Sequence, residues 1–317
     1  MLVGPTASGK TALALRLAER FSGEIVSCDA VAVYRGLDIG SAKPTPVERT
    51  RVPHHGLDLL DPDQPSTAGD YARAARIALQ SIKSRGRLPI VSGGTGLYLR
   101  ALLEGLAPAP PRDESLRDRL RHRVNQHGSA YLSRLLQRLD PSAATAIHPN
   151  DVPKLIRSLE VTLSAHRPQT EQWSAGRDPL RGFRILQLGL NPPREALYRR
   201  INARAQAMFS TGLMEETEVI RAQFGEGCRA LASLGYAQAL SVLRQELRLP
   251  EAISIAQQGH RNYAKRQLTW FRRDPAVHWL RGFGDDPEVL AISEDQVASH
   301  LVAASPDRAT GLCQALL

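Results

Sequence analysis

Lysine is nearly missing from this chain of 317 residues: Lys10, Lys43, Lys83, Lys154 and Lys265 are the whole supply. The other 36 of the 41 basic residues are arginine, and 32 acidic residues leave a net charge of +9. Arginine forks onto phosphate in bidentate fashion, so the surplus suits a polyanionic partner. A genome rich in G and C produces the same surplus, and charge alone does not choose between the two. Cysteine is equally sparse. Cys28, Cys228 and Cys313 lie far apart with no CxxC spacing, which argues against a disulfide framework and a zinc module and predicts a reducing, cytoplasmic setting. No run approaches the roughly 20 apolar residues of a membrane-spanning helix, so no span is expected. A motif begins at Gly4, which predicts that no leader peptide precedes the fold. What remains, 42% hydrophobic and 23% charged residues, is the composition of an ordinary globular protein.

Leu2-Val3 reads as the end of a buried strand, followed by a glycine-rich turn and an apolar-periodic helix over about Thr11–Phe21. Glu24 to Asp29 reads as a second strand ending in an acid, and Leu88 to Ser92 as a third, broken by Gly93-Gly94-Thr95-Gly96. A polar, proline-bearing stretch occupies Arg35–Ser66, and residues 67–85 look helical. Strand and helix in alternation predict an α/β fold with a parallel sheet covered on both faces. Pro108-Ala109-Pro110-Pro111 is a linker signal. Beyond it residues 112–139 and about Val152–Ala165 are helical and charged, 166–182 is loop-like, and a strand resumes over Phe183–Leu190. The chain therefore reads as a core of residues 1–111 and 183–317 interrupted by a mainly helical insertion, 112–182. Several helices are expected over 193–273, and the tail after Asp274 carries weak signals.

Gly4-Pro5-Thr6-Ala7-Ser8-Gly9-Lys10-Thr11 matches G-x-x-x-x-G-K-[ST] without a gap, between a strand and a helix as that motif requires. The glycines let backbone N–H groups turn inward around an anion, Lys10 adds a point charge, the Thr11 hydroxyl suits Mg²⁺, and the helix start adds its positive dipole end. The motif serves ATPases, GTPases and kinases alike. The core strand Leu88–Ser92 lacks the terminal acid of an ATP hydrolase and runs into Ser-Gly-Gly-Thr. That leaves Asp29 as the one carboxylate expected near the phosphates, as a metal ligand, a helix cap or a base.

The chain resembles the tRNA dimethylallyltransferases. Pro-Thr-Ala-Ser inside the loop, Ser27-Cys28-Asp29 with Tyr34, Asp38-Ile39-Gly40-Ser41-Ala42-Lys43-Pro44 and Pro53-His54-His55 carry the likeness in the first third. Gly93-Gly94-Thr95-Gly96-Leu97-Tyr98, His148-Pro149-Asn150-Asp151 with Arg157-Ser158-Leu159-Glu160, Leu234-Gly235-Tyr236 and Lys265-Arg266-Gln267-Leu268-Thr269-Trp270 continue it in order. The family pattern has serine and glutamine where Ala30 and Ala32 stand, and arginine where Ala232 and Ala237 stand.

The resemblance implies a P-loop NTPase-like parallel sheet and transfer of a dimethylallyl group from dimethylallyl diphosphate to the N6 amine of the adenosine 3′ of the anticodon. The loop would hold a leaving diphosphate with Mg²⁺, Thr11 contributing to metal and catalysis, and no ATP would be consumed. Asp29 would take the amine proton. Arg200 and Arg204, four apart on one helical face, resemble arginines facing the substrate channel. The anticodon stem-loop would meet Asp29, Ala30, Val31, Ala32 and Thr95, then Gly235 and Tyr236, and then Lys265, Arg266 and Gln267. In the insertion it would meet Arg117, Pro153, Lys154, Leu155, Ile156 and Arg157. On the residues alone, Thr95 has a tight turn as its alternative reading, Arg261–Arg273 is equally a solvated basic face, and His54 and His55 read as packing residues. A small-molecule kinase and a non-catalytic RNA-binding protein are the rival readings, and a monomer is expected.

Overall fold

The computed structural model describes residues 1–173 and 176–303; Cys313 lies outside them. Six strands form one parallel sheet, β1 (Leu2–Val3), β2 (Gly23–Cys28), β3 (His54–His55), β4 (Leu88–Gly93), β5 (Gln187–Leu190) and β6 (Val277–Leu280), in the order β3-β2-β4-β1-β5-β6. The interior strands are apolar almost without alternation, as strands covered on both faces must be: Leu2, Val3, Ile25, Val26, Ile90, Val91, Leu188 and Leu190 are buried. Helix α1 (Lys10–Arg20) lays Leu13, Ala14, Leu15, Leu17 and Ala18 against the sheet. The sheet register sets the height of everything that follows. Val3 and Cys28 are both level with Gly93 on β4, so Gly4, Asp29 and Gly94 leave the sheet side by side.

Two elements lie inside the polar, proline-bearing stretch, α2 (Pro46–Arg51) and β3. Thr45 and Glu48 close a capping box around the first turn of α2. Helix α3 (Ala68–Ser84) matches expectation, and α4 (Gly96–Glu104) starts directly on the glycine turn. The tail holds more structure than its pattern suggests: β6 completes the sheet edge and α14 (Pro287–Val302) buries Val289 beside α1. The strand expected over 183–190 pairs only from Gln187.

The chain divides into two compact units, Met1–Leu102 with Arg181 onward, and Leu103–Leu180. The second contains α5 (Glu114–His127), α6 (Ser129–Leu139), α7 (Pro141–Ala146), α8 (Val152–Ala165) and the short α9 (Gln169–Trp173), which falls in the stretch read as loop. Leu120, Leu132, Leu136, Leu155, Ile156 and Leu159 form its core. The carboxylate of Glu160, on α8, is fully buried. It accepts from the Asp113 amide at 2.7 Å and pairs with Arg157 at 2.7 Å and Arg117 at 3.7 Å. Asp140 caps α7 through the Ala143 amide and accepts from Thr170, tying α9 down.

In the first unit α10 (Arg194–Ser210), α11 (Leu213–Phe224), a 3₁₀ turn (Arg229–Ala232), α12 (Tyr236–Leu243) and the long α13 (Leu249–Phe271) follow β5. Glu216 on α11 collects the amides of Asp38, Ile39 and Gly40. The Tyr236 hydroxyl donates to Glu216 Oε1 at 2.5 Å and accepts from the Gly40 amide at 3.1 Å. Tyr236 is 0% exposed, so the side chain expected on tRNA is a strut between α12, α11 and this loop. Tyr236→Phe should lower stability by about 1–3 kcal/mol in urea unfolding, because it strips the part-buried Glu216 carboxylate of a donor and the buried Gly40 amide of an acceptor. Binding of a tRNA stem-loop, measured in parallel, should change by less than about twofold.

Candidate functional site

All the loops that matter leave the carboxyl ends of parallel strands, where α/β proteins gather ligands. The loop after β1 turns through Ala7 at φ 61° and Gly9 at φ 86° into the first turn of α1. The first-turn amides of that helix have no acceptor within it and point their positive end at the space in front. The buried Ser8 hydroxyl has no partner among the described residues. Lys10 folds back on its own loop, donating Nζ–H to the Gly4 carbonyl at 3.1 Å and the Pro5 carbonyl at 2.6 Å. Burial, and then the positive charge of Arg204, pull its ammonium down to about 7, against the opposing pull of Asp29. Thr11 is exposed on the first turn.

Asp29 follows β2 directly. Its Oδ1 accepts from the amides of Val31 at 2.8 Å and Ala32 at 3.1 Å, a side-chain turn that fixes the carboxylate and leaves the second oxygen free for a ligand. Thr95, after β4, accepts from the Ala30 amide through its hydroxyl at 3.2 Å. The turn after β4 is thereby tied to the acid. A cleft of about 550 Å³ opens over these parts, lined by Thr6 to Thr11 on one side and Asp29 on another. Arg200 and Arg204 of α10 line it too. Arg204 is held near Asp29, and burial pulls its guanidinium below the usual arginine range while Asp29 opposes. Arg200 pairs with Asp285 at 2.7 Å and stacks on Phe283, 3.7 Å from the ring centre.

Three contributors escaped the sequence. Asp285 lines the cleft, as does Glu48 of α2, where one carboxylate, Asp29, was expected; Asp285 sits in the loop after β6, which clasps the phosphate loop through the Gly284 amide to Ser8 carbonyl bond of 2.9 Å. Lys43 is buried, holding Asp38 at 2.8 Å and Asp58 at 2.7 Å. Tyr263 of α13 stands beside Asp29 and Thr95, its phenol pushed up to about 12 by burial and then by the Asp29 charge. Lys43 stood inside a motif block; nothing in the local pattern singled out the other two.

The remaining expected residues divide by exposure. Lys265 and Arg266 project from α13 into solvent. Gln267 does not: it is buried between the phosphate loop and the turn after β4. Gly235 is the buried start of α12, and Ala32 is buried. In the insertion, Leu155 and Ile156, expected on RNA, are buried core side chains. Pro153 and Lys154 are exposed, Lys154 paired with Asp151, while Arg117 and Arg157 are turned to Glu160. His55 is held by Glu24 at 2.7 Å, and His54 lines the cleft. Among the described residues no group of three or more His, Cys, Asp or Glu could hold a metal, and no helix is long and apolar enough to cross a membrane.

Known proteins share this arrangement. The family described as IPP transferase matches residues 32–274, and that described as isopentenyl transferase matches residues 1–53. The tRNA dimethylallyltransferase of Koribacter versatilis is 60% identical over 92% of this chain and 94% of its own. That of Solibacter usitatus is 52% identical over 95% and 98%. The crystal structure of the full-length tRNA isopentenylpyrophosphate transferase of Bacillus halodurans is 36% identical, with a TM-score of 0.70 over 95% of this chain and 96% of that one. A eukaryotic dimethylallyltransferase solved acting on tRNA is 25% identical, with a TM-score of 0.78 over 94% of this chain and 79% of that one. With its phosphate loop, strand-end acid and parallel sheet in place, this chain belongs to the tRNA dimethylallyltransferase family, the IPP transferases.

Proposed function

We propose that this chain moves a dimethylallyl group from dimethylallyl diphosphate to the exocyclic N6 amine of the adenosine 3′ of the anticodon in tRNA, releasing diphosphate. The observation that carries this reading is the meeting of Lys10 and Asp29 over one cleft. As the allylic C–O bond breaks, charge grows on the departing diphosphate. The first-turn amides, Lys10, Arg204 and the Ser8 hydroxyl stand where that charge grows. An exocyclic adenine amine is a poor nucleophile, because its lone pair is drawn into the ring. The free oxygen of Asp29 is placed to take its proton as the new C–N bond forms.

A divalent metal fits the donor set. The oxygens on offer are the Thr11 hydroxyl, the unpartnered Ser8 hydroxyl and the carboxylate of Asp285, with no imidazole or thiolate cluster. Such a set suits a hard cation such as Mg²⁺, completed by phosphate oxygens and water. When bound, it would neutralise charge on the leaving group.

A base stacked in an anticodon loop must swing out to reach Asp29, at a cost of a few kcal/mol offset by contacts to the stem-loop. Thr95, Lys265 and Arg266 supply such contacts in this reading, with the backbones of Ala30, Val31, Ala32 and Gly235. On the insertion Lys154 and Arg157 do so, with Pro153 and Arg117 beside them. The protein would work in the cytoplasm as a monomer. Incubation with unmodified tRNA and labelled dimethylallyl diphosphate, followed by nucleoside analysis, should yield N6-prenyl adenosine. Label left wholly in the donor, with ATP turned over instead, would make the protein a kinase. The logarithm of the affinity for tRNA should also fall linearly with the logarithm of salt concentration, the affinity itself dropping about tenfold or more between 50 and 200 mM; a flat response would remove the phosphate contacts from the picture.

A further inference from the structure

Helix α13 runs directly over the glycine turn that ends β4. Three of its residues, three and four apart on one face, meet that turn. A Cβ on Gly94 would lie 1.9 Å from Gln267 Nε2, and a Cβ on Gly96 would lie 2.4 Å from the Trp270 ring. Tyr263 stands beside Thr95. The glycines are absent side chains that let a helix sit on backbone.

Gln267 does more than pack. It is 5% exposed, in the apolar face of α13. Its Nε2–H donates to the Gly94 carbonyl at 3.0 Å, and its Oε1 accepts from the Thr6 amide at 2.8 Å. One primary amide therefore spans the loop that carries the leaving-group cation and the turn that carries Thr95. Thr95 in turn holds the Ala30 amide beside Asp29. A carboxamide has one donor end and one acceptor end, as these two partners require. Asparagine is a methylene too short, and methionine has the length without the polar ends. The two sides of the cleft arise from different strands, and the Gln267 side chain bonds to both.

We propose that Gln267 is a positioning residue: it fixes the spacing between the diphosphate cradle and the Asp29–Thr95 side of the cleft, and so the approach of the prenyl carbon to the base amine. This rests on the prenyl-transfer reading. It moves Gln267 from the RNA surface, where the sequence put it, to the interior joint of the site. Transfer between two separately held groups depends on near-attack geometry, and an error of about 1 Å costs about 10²-fold.

The test uses the full chain, unmodified tRNA and labelled dimethylallyl diphosphate, with Gln267→Met and Gln267→Glu. Gln267→Met should lower kcat by at least about 30-fold at saturating substrates, with tRNA stem-loop affinity within about threefold of wild type. A protonated glutamic acid reproduces the amide's pattern, its carbonyl accepting from Thr6 and its O–H donating to Gly94; the ionised form loses the donor and faces the Gly94 carbonyl with a negative charge. Burial raises a carboxyl pKa, so the Gln267→Glu rate, divided by the wild-type rate at each pH, should climb as pH falls from about 8 to about 5.5. Full kcat in both variants overturns the proposal. So does a loss that follows only the folded fraction measured by circular dichroism, or one that saturating tRNA restores. A wild-type chain that transfers no prenyl group overturns the parent reading and this one with it; an active wild type with indifferent variants overturns this one alone.

Discussion

Asp29→Asn should cut prenyl transfer at saturating substrates by about 10²–10⁴-fold, the usual worth of a positioned general base. The substitution is nearly isosteric, and the fixed turn decides how it reads. The Val31 and Ala32 amides demand an acceptor at the Oδ1 position, so the new amide must present its NH₂ group to the cleft in place of the free carboxylate oxygen. A proton acceptor becomes a donor with no other change in shape. Binding of a tRNA stem-loop should stay within about threefold, and thermal unfolding should stay close to wild type. Single-turnover transfer with labelled donor is the measurement. A variant that transfers at the wild-type rate would leave Asp29 as a turn residue and send the search for a base to Asp285 and Glu48, which also line the cleft.

Lys10→Ala should be comparably severe, about 10²–10³-fold, through the lost cation at the leaving group. It should also weaken binding of inorganic diphosphate, which Asp29→Asn leaves largely alone. Lys10→Arg brings out the acid–base side. In the free protein the Lys10 ammonium is drawn down to about 7, first by burial and then by Arg204. A bound diphosphate favours the charged form and raises that value. Above about pH 7, binding therefore takes up a proton, and affinity falls as pH rises, approaching tenfold per unit. Below about pH 7 lysine is already charged and its contribution is flat. Arginine keeps its charge throughout. The ionisation of the ligand itself is common to both proteins, so wild-type affinity divided by Lys10→Arg affinity should drop between about pH 7 and 9 in calorimetric titrations. A constant ratio would mean that Lys10 is charged on the empty loop.

The chemistry-bearing parts near the start of the chain were legible because each is local. The eight residues of the phosphate loop state their own geometry, and Asp29 ends a strand whose pattern is plain. The parts supplied from a distance were not. Gln267 and Tyr263 come to the cleft on α13, and Asp285 on the loop after β6, more than 230 residues from the loop they face. The motif block around Gln267 and Tyr263 announces an RNA face but not that these two turn inward to the cleft, and nothing within a few residues of Asp285 announces a site. Tyr236, Leu155 and Ile156 show the reverse failure. Carried over inside motif blocks as RNA contacts, they are core side chains, because a helix turns some residues of any contiguous block inward. Composition hid α2 and β3 inside a proline- and histidine-bearing stretch, and β6 is a four-residue strand whose His278 is exposed and whose Trp279 is only partly buried. The insertion was legible as helical, but the placing of Arg117 and Arg157 around a fully buried Glu160 depends on packing that no period reveals.

The first strand has only two residues, yet it pairs on both flanks, Leu2 with Ser92 and Leu188, Val3 with Gly93 and Gly189. A one-residue slip there would carry the lysine loop about 3.3 Å along the sheet, farther than any side-chain rotation restores. The reach between leaving group and acceptor is thus inherited from main-chain rungs on neighbouring strands. Lesions at those rungs, remote from any substrate, would surface as a slow enzyme before they surfaced as an unfolded one.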